Sequence, residues 1–554
     1  MTEIRKLDRE TRASIAAGEV IRRPENVVTE LVENAIDAGA DRIEVAVDGD
    51  GTDRVSVTDD GRGIPAEAAP LALERHATSK IRDAEDLPRA ETLGFRGEAL
   101  PSVATAAGRL ELTTNAGDDP EGVRVVADGE ERTVETAGHP PGTTVEVTDL
   151  FADRPARKKA LASAATEFGR VSDAVTRYAL ANPDVRFRLA HDGRETFATP
   201  GTGYTDAVLG IYDRTVAARS TTFDHEATLT VDGAERPVRI DGLLAYPSVT
   251  RTRPSHVYTG VNGRGLVEET LRAAVVDGYG TLLPDGRYPV AAVSVSLPPA
   301  LVDQNVHPAK RDVEFRDPAV VADAVESAVR DALATGDLRR SGDLAMDLEA
   351  ALAPLSDDES AFADVDVLGQ FRGLYLLCAA GDDLLVVDQH AAHERVNYER
   401  LRAAVGDVES RPVDPPETVT LSPAGAAAVE ERAGALADLG FEVEPFGGAT
   451  VRLTAAPAPL GRVADADAFR DAVDTLREGD DPEDVRDDLL KDLACHPSLK
   501  AGDELTDEEA TQLVERLGAC EQPYACPHGR PTVLSIDEET LVRGFERSHA
   551  RLGE

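Results

Sequence analysis

Glu30, Asn34 and Asp37 stand at i, i+4 and i+7 in the run Glu30-Leu31-Val32-Glu33-Asn34-Ala35-Ile36-Asp37-Ala38-Gly39-Ala40. On a helix opened by Pro24 the three share a face. A carboxylate held near a phosphate can deprotonate an attacking water. An amide oxygen one turn along can ligate Mg²⁺ without adding charge. A solvated polar helix face has the same spacing, and for such a run in isolation that reading is the commoner one. The runs downstream change the balance. Asp59-Asp60-Gly61-Arg62-Gly63-Ile64 ends a strand pattern and lets backbone approach a ligand closely. Gly94-Phe95-Arg96-Gly97-Glu98-Ala99-Leu100 opens a helix whose N–H groups can cradle phosphate. His76-Ala77-Thr78-Ser79-Lys80 reads as part of a lid, and Gly142-Thr143-Thr144-Val145-Glu146-Val147 as a closing strand. Any one of these runs is weak. Together, in this order around one helix, they point to a site that binds and hydrolyses ATP.

A second constellation lies near the other end, in Asp388-Gln389-His390-Ala391-Ala392-His393-Glu394. His390 and Glu394 are one helical turn apart, Asp388 ends the preceding strand and Glu399 follows. Imidazole plus carboxylate at this spacing suits Zn²⁺ or Mn²⁺. The competing reading is a helix N-terminus capped by acids, with a buried histidine. Two distant runs raise the metal reading: Ala494-Cys495-His496-Pro497 and Cys526-Pro527-His528-Gly529, each with a thiol and an imidazole. His393 and His496 read as bystanders, and Cys520 as a spare thiol or a core residue.

The elements that must carry these groups are mixed. Arg42–Val47 and Arg54–Thr58 alternate with period two around the turn Asp48-Gly49-Asp50-Gly51-Thr52-Asp53, so a hairpin follows the first helix. The pattern predicts a helix over Ala319–Ala334, then a linker from Thr335 to Asp364 with a short helix near Leu344–Leu352. Strand patterns return at Gly373–Cys378 and Asp383–Asp388. The fold class is therefore α+β. At 554 residues the chain is too long for one core, and about three domains are expected.

No stretch is apolar and long enough to span a membrane. The start, Met1-Thr2-Glu3-Ile4-Arg5-Lys6, lacks a signal-peptide core, so a cytoplasmic location is expected. Four cysteines are too few for a disulfide framework. The net charge of -44 is spread over the whole chain, and lysine is confined to Lys6, Lys80, Lys158, Lys159, Lys310, Lys491 and Lys500. Diffuse acidity of this kind fits solubility in a salt-rich cytoplasm, and so does not argue against a nucleic-acid partner.

These runs resemble the GHKL ATPases, the group of gyrase-type topoisomerases, a heat-shock chaperone, histidine kinases and the MutL mismatch repair proteins. Ile15-Ala16-Ala17-Gly18-Glu19-Val20, Glu30–Ala40, Ala77–Ile81, Gly94–Leu100 and Asn305-Val306-His307-Pro308-Ala309-Lys310 are most similar to the MutL family. The resemblance covers nearly the whole chain. It implies a GHKL (Bergerat) ATPase α/β sandwich over 1–205 and a ribosomal-S5-like transducer domain over 206–335. A linker over 336–364 and a C-terminal α+β dimerisation and endonuclease domain over 365–554 would follow, with about 401–494 as an inserted regulatory subdomain.

The resemblance also implies roles. Glu30 is the general base and Asn34 holds Mg²⁺, with Asp37 beside them. Asp59 recognises the adenine amino group, Gly61 and Gly63 shape the pocket, and Thr144 is nearby. Thr78, Ser79, Lys80, Gly94, Phe95, Arg96, Gly97, Glu98, Ala99 and Leu100 form the lid and phosphate loop, and Lys310 reaches the γ-phosphate from the second domain. Asp388, His390, Glu394, Cys495, Cys526 and His528 match a metal-dependent DNA-nicking site, with Asp388 and Glu394 catalytic and Zn²⁺, Mn²⁺ or both bound.

The implied partners are a second copy of the chain, double-stranded DNA and a MutS-type mismatch recognition protein. Docking on a sliding clamp is also implied for the family. However, Arg411-Pro412-Val413-Asp414-Pro415-Pro416 stands where a glutamine motif is expected. After Asn262-Gly263-Arg264, Gly265-Leu266-Val267-Glu268-Glu269 replaces further basic residues, and the linker is short for the family. A matchmaker that does not nick, with a purely structural metal site, remains an alternative. A topoisomerase subunit finds no support in the C-terminal block.

Overall fold

The computed structural model describes residues 21–74, 77, 98–117, 121–129, 131–247, 249–283, 286–303, 313–335, 362, 365–381, 383–403, 410–458, 464–478, 490–491, 494, 499, 503–527 and 530–536. The chain divides into two compact units. One comprises 1–340 with 420–431 and 446–450, the other 341–419, 432–445 and 451–554.

The first unit is built on an eight-stranded sheet. Its strands are β1 (Arg42–Asp48), β2 (Arg54–Asp59), β3 (Arg109–Asn115), β4 (Glu121–Asp128), β5 (Glu131–Gly138), β6 (Gly142–Thr148), β7 (Arg186–His191) and β8 (Arg194–Ala198), in the order β5-β4-β3-β6-β2-β1-β7-β8. The hairpin expected at 42–58 is β1–β2, antiparallel with Val45 opposite Val57. Among the described residues of this sheet only β1 and β7 run parallel, Val45 beside Leu189.

Alternation decides what each face holds. Ile43, Val45, Val47, Val55, Val57, Leu110, Leu112, Val145 and Val147 are buried on one face. The other face carries ion pairs such as Arg54 with Glu146 and Arg124 with Glu111. Helix α1 (Pro24–Asp37) lays Val27, Val28, Leu31, Val32 and Ala35 into the apolar core, on the spacing that one helical stripe provides. Each large side chain so buried contributes about 1.5–3 kcal/mol. Helix α2 (Ala99–Ala106) and helix α3 (Ala164–Ala181) add Val103, Phe168, Val171, Val175 and Tyr178 to the same core.

A second, five-stranded sheet follows within this unit. Its strands are β9 (Ser220–Val231), β10 (Ala234–Ala245), β11 (Val257–Val261), β12 (Arg264–Leu266) and β13 (Ala291–Ser296), in the order β12-β11-β13-β10-β9. Helices α4 (Glu269–Tyr279) and α5 (Pro318–Thr335) close its core with Leu271, Val275, Val325 and Val329. The helix expected at 319–334 is α5. Of the linker expected from Thr335 to Asp364, Thr335 ends α5 and Phe362 is described, while the rest, with the expected short helix, lies outside the described residues.

The second unit holds an antiparallel sheet of β14 (Val365–Phe371), β15 (Tyr375–Ala380), β16 (Asp383–Asp388) and β17 (Val533–Ile536), in that order. One face, Leu376, Cys378, Leu385 and Val387, packs on Ala392 and Val396 of α6 (Gln389–Ala403) and on Leu513, Val514 and Leu517 of α7 (Asp507–Gly518). The other face brings Leu377, Val386 and Leu534 into one row, with Leu534 62% exposed.

Candidate active site and metal-ligating helix

The apolar face of the large sheet turns polar at one end. Asp59 ends β2 opposite Thr143 of β6, and Thr143 stands opposite Thr114 of β3. The Thr114 and Thr143 hydroxyls are 3.0 Å apart, and Thr114 donates to the Gly142 carbonyl at 3.0 Å. Asp59 Oδ1 accepts the Gly61 N–H at 2.9 Å. Burial pushes the Asp59 carboxyl up to about 6. The N–H of Gly61 opposes that rise, the charge of Asp60 adds to it, and the N–H of Thr143 and nearby His139 oppose it. A half-buried carboxylate so placed seeks a donor from a ligand.

Glycine is required here on steric grounds. Gly63 has φ +63° and a Cβ on it would lie 2.0 Å from the Asn115 carbonyl oxygen. Gly142 has φ +125° and a Cβ on it would lie 2.1 Å from the Asp59 carbonyl oxygen. Neither backbone can retreat, because both belong to the sheet.

Above this floor, α1 carries Glu30, 6% exposed, and the half-buried Asn34 and Asp37. Glu98 is the N-cap of α2, so Ala99 and Leu100 form that helix's first turn, whose N–H groups have no partner within the helix itself. Thr78, Ser79, Lys80, Gly94, Phe95, Arg96, Gly97 and Lys310 lie outside the described residues.

Thr144 does not join this group. Its hydroxyl is 3.1 Å from that of Thr58 and 2.9 Å from His139 Nε2, on the opposite face of the sheet. The residue facing Asp59 is Thr143. Successive strand residues point to opposite faces, so one step along the chain changes the side. The signal was available: Thr143 shares its parity with Val145 and Val147, the apolar residues of β6.

Sequence reading also missed a buried cluster on α1. Arg264 of β12 donates from Nε to Glu33 Oε1 at 2.8 Å, and both side chains are 1% exposed. Tyr178 of α3 donates to the same oxygen at 2.6 Å. Burial works against the charge on Arg264, but Glu33, Tyr178 and Glu30 hold its pKa above the ordinary arginine value.

In the second unit, Asp388 Oδ1 accepts the N–H groups of His390 and Ala391, each at 3.0 Å, and so caps α6. His390 Nε2 lies 3.3 Å from Glu394 Oε1, and its Nδ1 donates to the Leu499 carbonyl. Burial lowers the His390 pKa, yet the bond with Glu394, its charge, the Leu499 carbonyl and Asp388 together raise it above the usual value. Cys526 is buried, and its neighbour Ala525 is tied to α6 by Arg395 Nε at 2.5 Å. The Asp388 N–H donates to the Thr532 carbonyl at 2.9 Å. Among the described residues no three histidine, cysteine, aspartate or glutamate side chains form a metal-holding group, and Cys495 and His528 lie outside them.

Three neighbours have structural roles. Glu399 accepts the N–H groups of Glu521 and Gln522 at 2.7 and 3.1 Å. Cys520 belongs to the core cluster, where burial and then Glu399 push its thiol pKa up. His393, read as a bystander, accepts the Leu499 N–H at 3.0 Å through Nδ1.

A protein of Halobacterium salinarum described as DNA mismatch repair protein MutL is 41% identical to this chain over 654 aligned positions, covering 99% of this chain and 97% of its own length. The chain belongs to the MutL family. A MutL of Symbiobacterium thermophilum is 38% identical, covering 99% of this chain and 100% of its own length. The family model of histidine kinase-, DNA gyrase B- and HSP90-like ATPases matches residues 19–148. Models of the DNA mismatch repair protein C-terminal domain and the MutL C terminal dimerisation domain match 211–334 and 368–505. A solved structure, the N terminal domain of a DNA repair protein, shares the fold at 24% identity, covering 58% of this chain and 97% of its own, with a TM-score of 0.50.

The expected α+β architecture with a GHKL ATPase domain is therefore present. The Asp59 floor lies inside the matched ATPase segment, and the Asp388–Glu394 helix inside the matched MutL dimerisation segment. No helix among the described residues is long and apolar enough to cross a membrane.

Proposed function

We propose that this MutL-family chain is an ATP-driven homodimeric clamp that links mismatch recognition by a MutS-type protein to strand removal, and that it nicks DNA itself. The observation that carries the ATPase part is the half-buried Asp59 carboxylate at the polar end of an apolar sheet face, opposite Thr143 and holding the Gly61 N–H, on the sheet against which α1, the helix of Glu30 and Asn34, packs its apolar stripe. Asp59 and Thr143 would take the adenine, Asn34 would hold Mg²⁺, and Glu30 would orient and deprotonate the attacking water. Phosphate contacts fall to the 94–100 run and to Lys310. A lysine from the second domain would sense the terminal phosphate and couple hydrolysis to domain position.

The donor set on α6 fits a divalent metal. Donation from His390 Nδ1 to a carbonyl leaves Nε2 as the ligating atom, and that atom faces Glu394. Asp388, His390 and Glu394, completed by Cys495, Cys526 and His528, would hold Zn²⁺ or Mn²⁺. The bound metal would supply positive charge to a DNA phosphodiester and its attacking water. The matchmaker that does not nick remains the second reading, because Asp388 already serves as a helix cap.

Two copies would join through the row Leu377, Val386 and Leu534, where an exposed Leu534 beside half-buried Leu377 and Val386 suits a self-complementary interface. In a salt-rich cytoplasm, where the Debye length falls to about 3 Å near 1 M salt, a chain of charge -44 gains little DNA affinity from ion pairs. Encirclement by ATP-closed heads would hold the duplex instead. ATP-dependent retention on circular DNA at molar KCl, compared with open-ended linear DNA of equal length, tests this. Equal retention on both would defeat the clamp.

A further inference from the structure

The hairpin β11–β12 belongs to the five-stranded sheet, yet its tip reaches the ATPase core. Asn182, the C-cap of α3, donates to the Gly263 carbonyl at 2.8 Å. Gly265 approaches α3 so closely that a Cβ on it would lie 2.8 Å from the Arg177 carbonyl carbon. Between these two glycines, Arg264 passes α3 and ends on Glu33 of α1, with Nε 2.8 Å and Nη2 3.4 Å from the two carboxylate oxygens. A side chain of this length is 1% exposed over its whole course.

Glu33 is three residues from Glu30, so both carboxylates sit on adjacent positions of one helical surface, 1% and 6% exposed. Two buried carboxylates this close repel each other unless one is neutralised. The guanidinium neutralises Glu33 through a forked contact whose geometry a point charge would not impose. Tyr178 fixes the same carboxylate from α3. Glu25, a turn upstream of Glu30, is tied to α3 separately by Arg177 at 3.2 Å.

We infer that Arg264 is a positioning residue for ATP hydrolysis: it neutralises Glu33 and thereby fixes the turn of α1 that presents Glu30 to the attacking water. This rests on the ATPase reading of Glu30 given above. The consequence is that the base depends on a strand of the neighbouring sheet, so hydrolysis requires that sheet to be docked.

The test uses the full chain and measures two quantities, ATP turnover and affinity for a non-hydrolysable ATP analogue. Arg264→Gln is expected to lower kcat roughly tenfold or more while analogue affinity stays within about threefold of wild type. Arg264→Lys, which keeps charge but loses the fork, is expected to fall between them. Glu33→Gln/Arg264→Gln, which removes both charges, is expected to recover most of the kcat loss. Parallel loss of kcat and analogue affinity in Arg264→Gln would mean a merely structural contact and overturn the inference. So would wild-type kcat in that variant, or a double variant as slow as the single one. Should Arg264→Gln fail to fold, the split and recovery are read from Arg264→Lys and the double variant. Glu30→Ala separates the two claims: turnover there equal to wild type would remove the base itself, whatever Arg264 does.

Discussion

Thr143 faces Asp59 across β2 and β6 and turns its backbone N–H onto that carboxylate, while its neighbour Thr144 contacts Thr58 on the far side of the sheet. Which threonine joins the polar floor is thus set by strand register. Thr143→Val is expected to weaken ATP affinity about twofold to tenfold, the worth of one polar contact, and Thr144→Val to leave it within error. Titration with a fluorescent nucleotide checks the pair. A larger loss from Thr144→Val would reverse the assignment.

Asp59 should trade stability for binding. A carboxyl whose folded pKa is raised to about 6 from 3.8 favours folding fully below 3.8, and that contribution is lost as pH rises through about 6. Asp59→Asn is therefore expected to be more stable than wild type at pH 8, on the order of 1–3 kcal/mol, with the gap closing by pH 4. The same variant should lose nucleotide binding. Urea unfolding at both pH values, without nucleotide, measures the gap, and a gap independent of pH would contradict the buried-carboxylate account.

Glu30→Ala is expected to keep nucleotide binding and lower turnover by about 10²–10⁴-fold, as loss of a general base does. Asn34→Ala should weaken binding in the presence of Mg²⁺ and change it little in EDTA. Hydrolysis by Glu30→Ala at the wild-type rate would remove the catalytic assignment.

Supercoiled plasmid should be nicked in Mn²⁺ and left intact after chelation. Asp388→Asn should abolish nicking, since it removes charge beside His390 and Glu394. Nicking that survives the substitution would indicate a contaminant, and its absence in wild type would favour the matchmaker. Metal analysis of the purified full chain identifies the bound ion independently.

Leu534→Asp places a charge at the exposed member of the apolar row of the small sheet. Burying it unpaired costs several kcal/mol, so the dimer is expected to give way to monomer at micromolar concentration, with ATP turnover per chain reduced. Sedimentation of wild type and variant decides. An unchanged dimer would place the interface elsewhere.

Several features were legible from the sequence by periodicity alone. The i, i+4, i+7 spacing put Glu30, Asn34 and Asp37 on one face of α1, and alternation gave the β1–β2 hairpin and the strand before Asp388. Helical and strand periods are local properties, set by backbone geometry over a few residues. The choice between Thr143 and Thr144 was also written in that alternation, but it needed β6 to be aligned with Asp59.

Tertiary structure decided the rest. Arg264 and Glu33 are 231 positions apart, and nothing within either run announces the other. An asparagine-glycine-arginine turn reads as a basic surface loop until the chain brings it through α3 to a buried carboxylate. Likewise, His390 and His393 grip the two ends of the Leu499 peptide from over 100 positions away. Local spacing fixes which groups share a face. Burial, neutralisation and the direction of a ring nitrogen arise only when distant segments exclude water together, because charge and hydrogen-bond energies depend on what replaces the solvent.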